Sequence, residues 1–197
     1  MSDPETLKVY GAKAQDYDQM TDDFNKTDHR LRTFVAALPQ GAHVLDLGCG
    51  PGASAALMAD HGLQVTAMDP VPEMIALARR HPHVDARLAG FDDLSGTDVY
   101  DGIWANFSLL HAARAEMPRH LAAIAQALKP GGRFHIGVKT GTGSKRDPIG
   151  RLYTYYTDAE LTGLLKNAGL FVTARETGVT TGLDGVEAPY ICLAAHG

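Results

Sequence analysis

The chain predicts an α/β fold: a seven-stranded, mostly parallel sheet with helices on both faces, its last strand antiparallel, preceded by an N-terminal helical lid. Three observations carry this. Short apolar runs alternate with helical patterns through most of the chain. A glycine-rich turn, Gly48-Cys49-Gly50-Pro51-Gly52, follows the first of these runs, and an acid, Asp69, ends the second. A strand, a glycine turn and a helix followed by a strand with a terminal acid outline a site for the nucleoside end of a cofactor, because glycines let a ligand lie against bare peptide.

In chain order, residues 5–19 and 27–38 have helical character but stand outside the strand–helix alternation, so they form an appendage. Tyr10, Ala14 and Tyr17 recur at spacings of four and three, on one helical face. Residues 43–47, 64–68, 85–88, 100–105 and 133–138 read as strands, and 53–60, 72–80 and 116–129, rich in alanine and leucine, as the helices between them. Lys129-Pro130-Gly131-Gly132 is expected to end the last of these helices, since proline and glycine do not continue one. A loop over 140–152 leads to a helix over 158–167, stopped by Gly169. Strands near 171–175 and 189–194 then pair antiparallel at the sheet edge.

At 197 residues the length suits one domain, with a helical cap over 1–40 and a cofactor-binding core over 41–197. A net charge of −5 argues against a nucleic-acid partner, for which a basic stripe is expected. The one local basic cluster, Lys139, Lys145, Arg146 and Arg151, is enough for a single anionic substrate group at most. Cys49 and Cys192 make no disulfide framework, so a cytoplasmic setting is expected. The acidic start, Ser2-Asp3-Pro4-Glu5, lacks the basic and apolar regions of a signal peptide, and no apolar run suits a membrane span.

A dinucleotide fingerprint would read G-x-G-x-x-G; here the third glycine falls one position early and Ala53 takes its place. Asp46, inside the strand, would repel a diphosphate but could help hold an ammonium group. The loop therefore suits a zwitterionic ligand better than a phosphate.

On these residues the sequence resembles the class I S-adenosylmethionine-dependent methyltransferases, whose first motif is an acid followed by G-x-G-x-G, on a Rossmann-like sheet. The resemblance implies S-adenosyl-L-methionine as cofactor, with Gly48 and Gly50 against its methionine part and Asp69 holding the ribose hydroxyls. A carboxylate accepting two O–H bonds suits a vicinal diol. Asp69 could instead cap the helix that begins near Pro72. The turn Gly90-Phe91-Asp92-Asp93-Leu94 resembles the family's adenine-binding turn, although Gly90 stands where many relatives have Asp. Residues 100–111 resemble the fourth motif, with the Ser-Leu-Leu-His ending of a bacterial small-molecule-type branch. That branch also carries Lys-Pro-Gly-Gly, a glycine-rich loop and an Arg-aromatic stretch, here Lys129 to Gly132, Gly141 to Gly143, and Arg151-Leu152-Tyr153. The implied cofactor contacts are Tyr10, Tyr17, Asp46, Gly48, Gly50, Asp69, Met74, Phe91, Asp92 and Asn106. Tyr10 and Tyr17 belong to the lid, a role that ordinary packing of an aromatic stripe also explains.

The loops converging at the carboxyl ends of the strands make His111, Arg151 and Tyr153 the candidate catalytic residues, with Tyr155 and Tyr10 nearby. His111 could take a proton from the acceptor or be a satisfied structural histidine. No metal is expected: His81-Pro82-His83 supplies two ligands at most. No Pro-Pro-aromatic follows the fourth motif, as a flipped-base pocket would require; 141–145 lack P-loop spacing; and there is no G-x-S-x-G elbow. The expected function is in-line transfer of a methyl group to a small-molecule acceptor, whose reacting atom is left open. A non-catalytic cofactor-binding protein and, less favoured, a nicotinamide-dependent oxidoreductase are the alternatives.

Overall fold

The computed structural model describes residues 3–197 and, except at 22–26, their side chains; Met1 and Ser2 of the expected cap lie outside the described residues. Nine strands are described: β1 (His43–Leu47), β2 (Gln64–Asp69), β3 (Val84–Leu88), β4 (Tyr100–Asn106), β5 (Leu128–Lys139), β6 (Ser144–Arg146), β7 (Leu152–Thr154), β8 (Phe171–Thr181) and β9 (Glu187–His196). Seven make one sheet in the order β3-β2-β1-β4-β5-β9-β8, with β9 antiparallel to both its neighbours. The chain steps outward from β1 to β3 and then returns to lay β4 against β1. At that reversal the connections after β1 and β4 leave in opposite directions and open a crevice at the strands' carboxyl ends.

Alternation along the strands sends side chains to two faces. Val44, Val65, Ala67 and Trp104 pack against α3 (His29–Ala36), α4 (Ala53–Asp60) and α5 (Pro72–Ala78), while Leu45, Leu47, Ile103, Phe134 and Ile136 pack against α6 (Met117–Ala127) and α7 (Asp158–Asn167). The expected seven-stranded sheet with helices on both faces is the observed one.

Three local expectations are corrected. The N-terminal segment makes three helices rather than two: α1 (Pro4–Ala12), α2 (Ala14–Thr27) and α3, broken at Lys13, whose φ is −113°, and at Asp28, whose carboxylate accepts from Arg30 N–H. Lys-Pro-Gly-Gly does not close α6, which ends at Ala127; it lies inside β5, because Lys129, preceding a proline, is pushed to extended backbone and Leu128 pairs with Tyr100. The expected loop over 140–152 contains β6, paired with β7. The last two strands pair antiparallel at the sheet edge, as expected, with β9 lying between β5 and the edge strand β8.

Helices α1 and α2 rest on α5, where Leu7, Tyr10, Ala14 and Tyr17 meet Val71, Met74 and Leu77. No helix is long and apolar enough to cross a membrane, among the described residues.

Candidate active site

Leaving β1, the chain turns at Gly48 (φ +78°), and both Gly48 and Cys49 donate their N–H to the Met68 carbonyl at 2.8 and 3.0 Å. A Cβ at 48 would stand 2.3 Å from the Ser108 Cβ, and the Ser108 hydroxyl donates to Leu47 O at 2.6 Å, so this glycine lets the β4 connection dock on the loop. Gly50 (φ +54°) has the Tyr17 ring 3.3 Å from where its Cβ would be. The lid helix α2 thus packs directly on the loop.

Asp69 accepts from Gly50 N–H through Oδ2 at 3.0 Å and from Val71 N–H through Oδ1 at 2.9 Å. The cap of α5 is Val71, which has no side-chain cap bond. Asp69 therefore braces the glycine loop to the start of α5 rather than capping the helix. Two of its four lone-pair positions stay available, and burial lifts its carboxyl to about 6. Asp46 is buried behind the same loop, and among the described residues its Oδ2 has no hydrogen-bond partner. Desolvation, with the Asp69 charge adding to it, pushes Asp46 up to about 8. A cation brought to Asp46 would favour its ionised form.

At the other end, His111 Nδ1 lies 2.7 Å from Leu152 O, which can only accept, so Nδ1 carries the proton. His111 Nε2 then accepts from the Tyr10 hydroxyl at 2.9 Å, and that hydroxyl accepts from Arg151 Nη1 at 3.0 Å. Burial, the leading cause, holds the His111 imidazole down at about 4, so it is neutral at pH 7. Arg151 Nε donates to Asp147 Oδ2 at 2.8 Å, and its guanidinium lies 5.1 Å from the Tyr153 ring. Lys139, the last residue of β5, places Nζ 4.0 Å from the same ring, and burial moves its ammonium below the usual lysine range.

These groups surround two adjoining cavities of about 170 and 60 Å³ that share Tyr10, Tyr17, Gly48, Gly50, Asn106 and Phe107. Asp69, Met74, Phe91 and His111 belong to the smaller one; Asp46, Arg151 and Tyr153 belong to the larger. Among the sequence candidates, two stand apart. Asp92 lines neither cavity: it pairs with Arg119 of α6, which also holds Glu116. Tyr155 packs on Gly141 outside both. Of the basic cluster, Lys139 and Arg151 reach the larger cavity, whereas Arg146 pairs with Asp3 and Lys145 is exposed.

Sequence reasoning had Lys139 only within the basic cluster offered to one anionic group, and it missed Trp104 and Thr180 to Leu183 as cavity residues. The position of Lys139 at a strand's carboxyl end was a usable signal. Thr180 to Leu183 had none, because the length of β8 and its pairing with β9 bring that hairpin back over the site.

A doubly wound sheet with a glycine turn, two acids at adjacent strand ends and a cleft at the reversal defines a nucleoside-binding α/β domain that suits a zwitterion. Residues 44–132 match the model of a methyltransferase domain. A ubiquinone biosynthesis O-methyltransferase of Xanthomonas axonopodis pv. citri is 34% identical over 164 residues, which cover 72% of this chain and 68% of that one. A ubiquinone/menaquinone biosynthesis C-methyltransferase of Rubrivivax gelatinosus is 41% identical over 134 residues, 64% of this chain and 53% of the relative, so the chain spans about half that relative's length. Among solved structures, the 1,6-didemethyltoxoflavin-N1-methyltransferase of Burkholderia thailandensis, with 1,6-didemethyltoxoflavin and S-adenosylhomocysteine bound, aligns with a TM-score of 0.72 at 28% identity. The alignment covers 100% of this chain and 91% of that one. The chain belongs to the class I S-adenosylmethionine-dependent methyltransferase family.

Proposed function

We propose that this protein transfers the methyl group of S-adenosylmethionine to a small-molecule acceptor in the cytoplasm. The observation that carries the reading is the pair of buried carboxylates beside the glycine loop: Asp46 with an unpartnered oxygen, Asp69 with two lone pairs to spare. An ammonium at Asp46 and a ribose diol at Asp69 would satisfy both. Met74 and Phe91 offer apolar surface to the adenine, and Asn106 lies where the two cavities meet. The cofactor's sulfonium supplies an activated methyl group; the chain has to align donor and acceptor and exclude water. Tyr10 and Tyr17, held over the loop by α1 and α2, serve that closure. Arg151 and Tyr153 wall the larger cavity, where the acceptor would sit. His111 stands on the Asp69 side and holds the Tyr10 hydroxyl in place, so accepting a substrate proton would first require that hydroxyl to leave Nε2.

Relatives named for ubiquinone biosynthesis and for methylation of 1,6-didemethyltoxoflavin support a small acceptor rather than a nucleic acid. The test is calorimetric titration with S-adenosylmethionine, S-adenosylhomocysteine and NAD, followed by an acceptor screen with labelled methyl donor. The first two should bind and NAD should not. Asp69→Ala should cost roughly 2–4 kcal/mol of cofactor affinity, with Asp69→Asn as the control that keeps an acceptor for the loop. Tighter binding of NAD, or unchanged affinity in both variants, would defeat the reading.

A further inference from the structure

We propose that the acceptor methylated by this protein is a small acid, bound in the larger cavity with an anionic oxygen paired to the Lys139 ammonium. The inference rests on the function proposed above and names the chemical class of its second substrate. Lys139 is 6% exposed and lines that cavity. Among the described residues its Nζ has neither a hydrogen bond nor an ion pair; it lies 4.0 Å from the centre of the Tyr153 ring. A cation over an aromatic ring gains about 0.5–2 kcal/mol. The ammonium faces the cavity and is partly desolvated by the buried chain around it, a cost that the ring offsets only in part.

Among the described residues the neighbouring carboxylates make no ion pair with Lys139. Asp147 accepts from Arg151 Nε at 2.8 Å, and Asp184 lies 3.7 Å from Arg151 Nη2. Arg151 thus has a hydrogen-bonded carboxylate at Nε, whereas Asp184 and Asp147 act on Lys139 only through space, with no ion pair to it. In the sheet, β4 separates β5 from β1, so Lys139 stands two strand spacings, roughly 10 Å, from the strand that carries Asp46. That offset puts the unpaired cation on the acceptor's side of the cavity, beyond the glycine loop.

The sole tryptophan, Trp104, lines the same cavity, so its fluorescence reports occupancy. Benzoate and its uncharged counterpart benzamide are titrated into protein saturated with S-adenosylhomocysteine, for the wild type, Lys139→Met and Lys139→Arg. Benzoate should bind the wild type at least tenfold more tightly than benzamide. The preference should vanish in Lys139→Met and persist in Lys139→Arg, with S-adenosylhomocysteine affinity unchanged in all three. Equal binding of the two probes by the wild type, no benzoate binding at all, or a preference kept by Lys139→Met would overturn the proposal. A tenfold loss of S-adenosylhomocysteine affinity in Lys139→Met would also overturn it, because the amine would then serve the cofactor's own carboxylate. Should the methionine variant not fold, the wild-type comparison still decides. Failure of the wild type to bind S-adenosylhomocysteine is a separate result that defeats the methyltransferase reading itself.

Discussion

The Tyr10 hydroxyl lies 2.9 Å from His111 Nε2, and this contact ties helix α1 to the turn after β4 across 101 residues of chain. The same hydroxyl takes a hydrogen bond from Arg151, so three segments distant in sequence meet at one oxygen. Whatever opens the lid must break that junction.

Tyr10→Phe removes the oxygen but keeps the ring, leaving His111 Nε2 and Arg151 Nη1 without their partner. A loss of about 1–3 kcal/mol is expected in chemical denaturation, with faster amide exchange over residues 4–20. Exchange unchanged in that segment would show that the lid is held by its packing on α5 alone.

His111 makes stability depend on acid. Its folded-state value of about 4 lies below the ordinary 6.5, so between these values the unfolded chain binds the extra proton and stability falls as pH falls. The full effect approaches about 3 kcal/mol. His111→Gln, which does not titrate, should lose correspondingly less stability between pH 7 and pH 4.5. If His111 took a substrate proton, the acidic limb of kcat/KM, which reports the free enzyme, would lie near 4 rather than near 6.5.

Asp46 works in the opposite sense. Its carboxyl, raised to about 8, holds a proton at pH 7 until a cation arrives, so cofactor binding should release about one proton. Calorimetry in buffers of different ionisation enthalpy measures that release, which Asp46→Asn should abolish. The folded acid also binds its proton more tightly than the unfolded chain does, so stability declines as pH rises from about 4 to about 8. The cofactor-free Asn variant should therefore melt higher than the wild type at pH 8 while binding the cofactor more weakly.

Gly48→Ala meets two obstacles, a φ of +78° and a Cβ 2.3 Å from Ser108 Cβ. Relief requires moving Ser108 and its 2.6 Å bond to Leu47 O. A destabilisation of about 2–4 kcal/mol is expected, together with loss of cofactor binding. A variant that melts and binds like the wild type would show that the β4 connection can retreat from the loop.

Local chemistry decided much of what the residues alone disclosed. The strands at 43–47 and 64–69 are apolar runs bounded by glycine and proline, and the glycines at 48 and 50 serve the positive φ values their turn demands. The acids at 46 and 69 were legible because they stand at strand ends beside that turn. The Tyr10, Ala14 and Tyr17 stripe was legible as one helical face; the structure divides it between α1 and α2, packs all three residues with α5 and has only the two tyrosines lining the cavities. Asp92 was misplaced, because its neighbour in space, Arg119, is 27 residues away and draws it out of the site.

The sequence by itself thus determined the sheet's parallel half, the glycine turn and the two acids, since each follows from a period, a backbone angle or a charge within a few residues. Only the tertiary structure decided which face each loop turns to the cleft. It engaged both ring nitrogens of His111, put β9 between β5 and β8, and turned the Lys139 ammonium to the cavity without an ion pair. Those outcomes depend on which distant segments pack together, and burial, which sets the cost of every unpaired charge, exists only once they have done so.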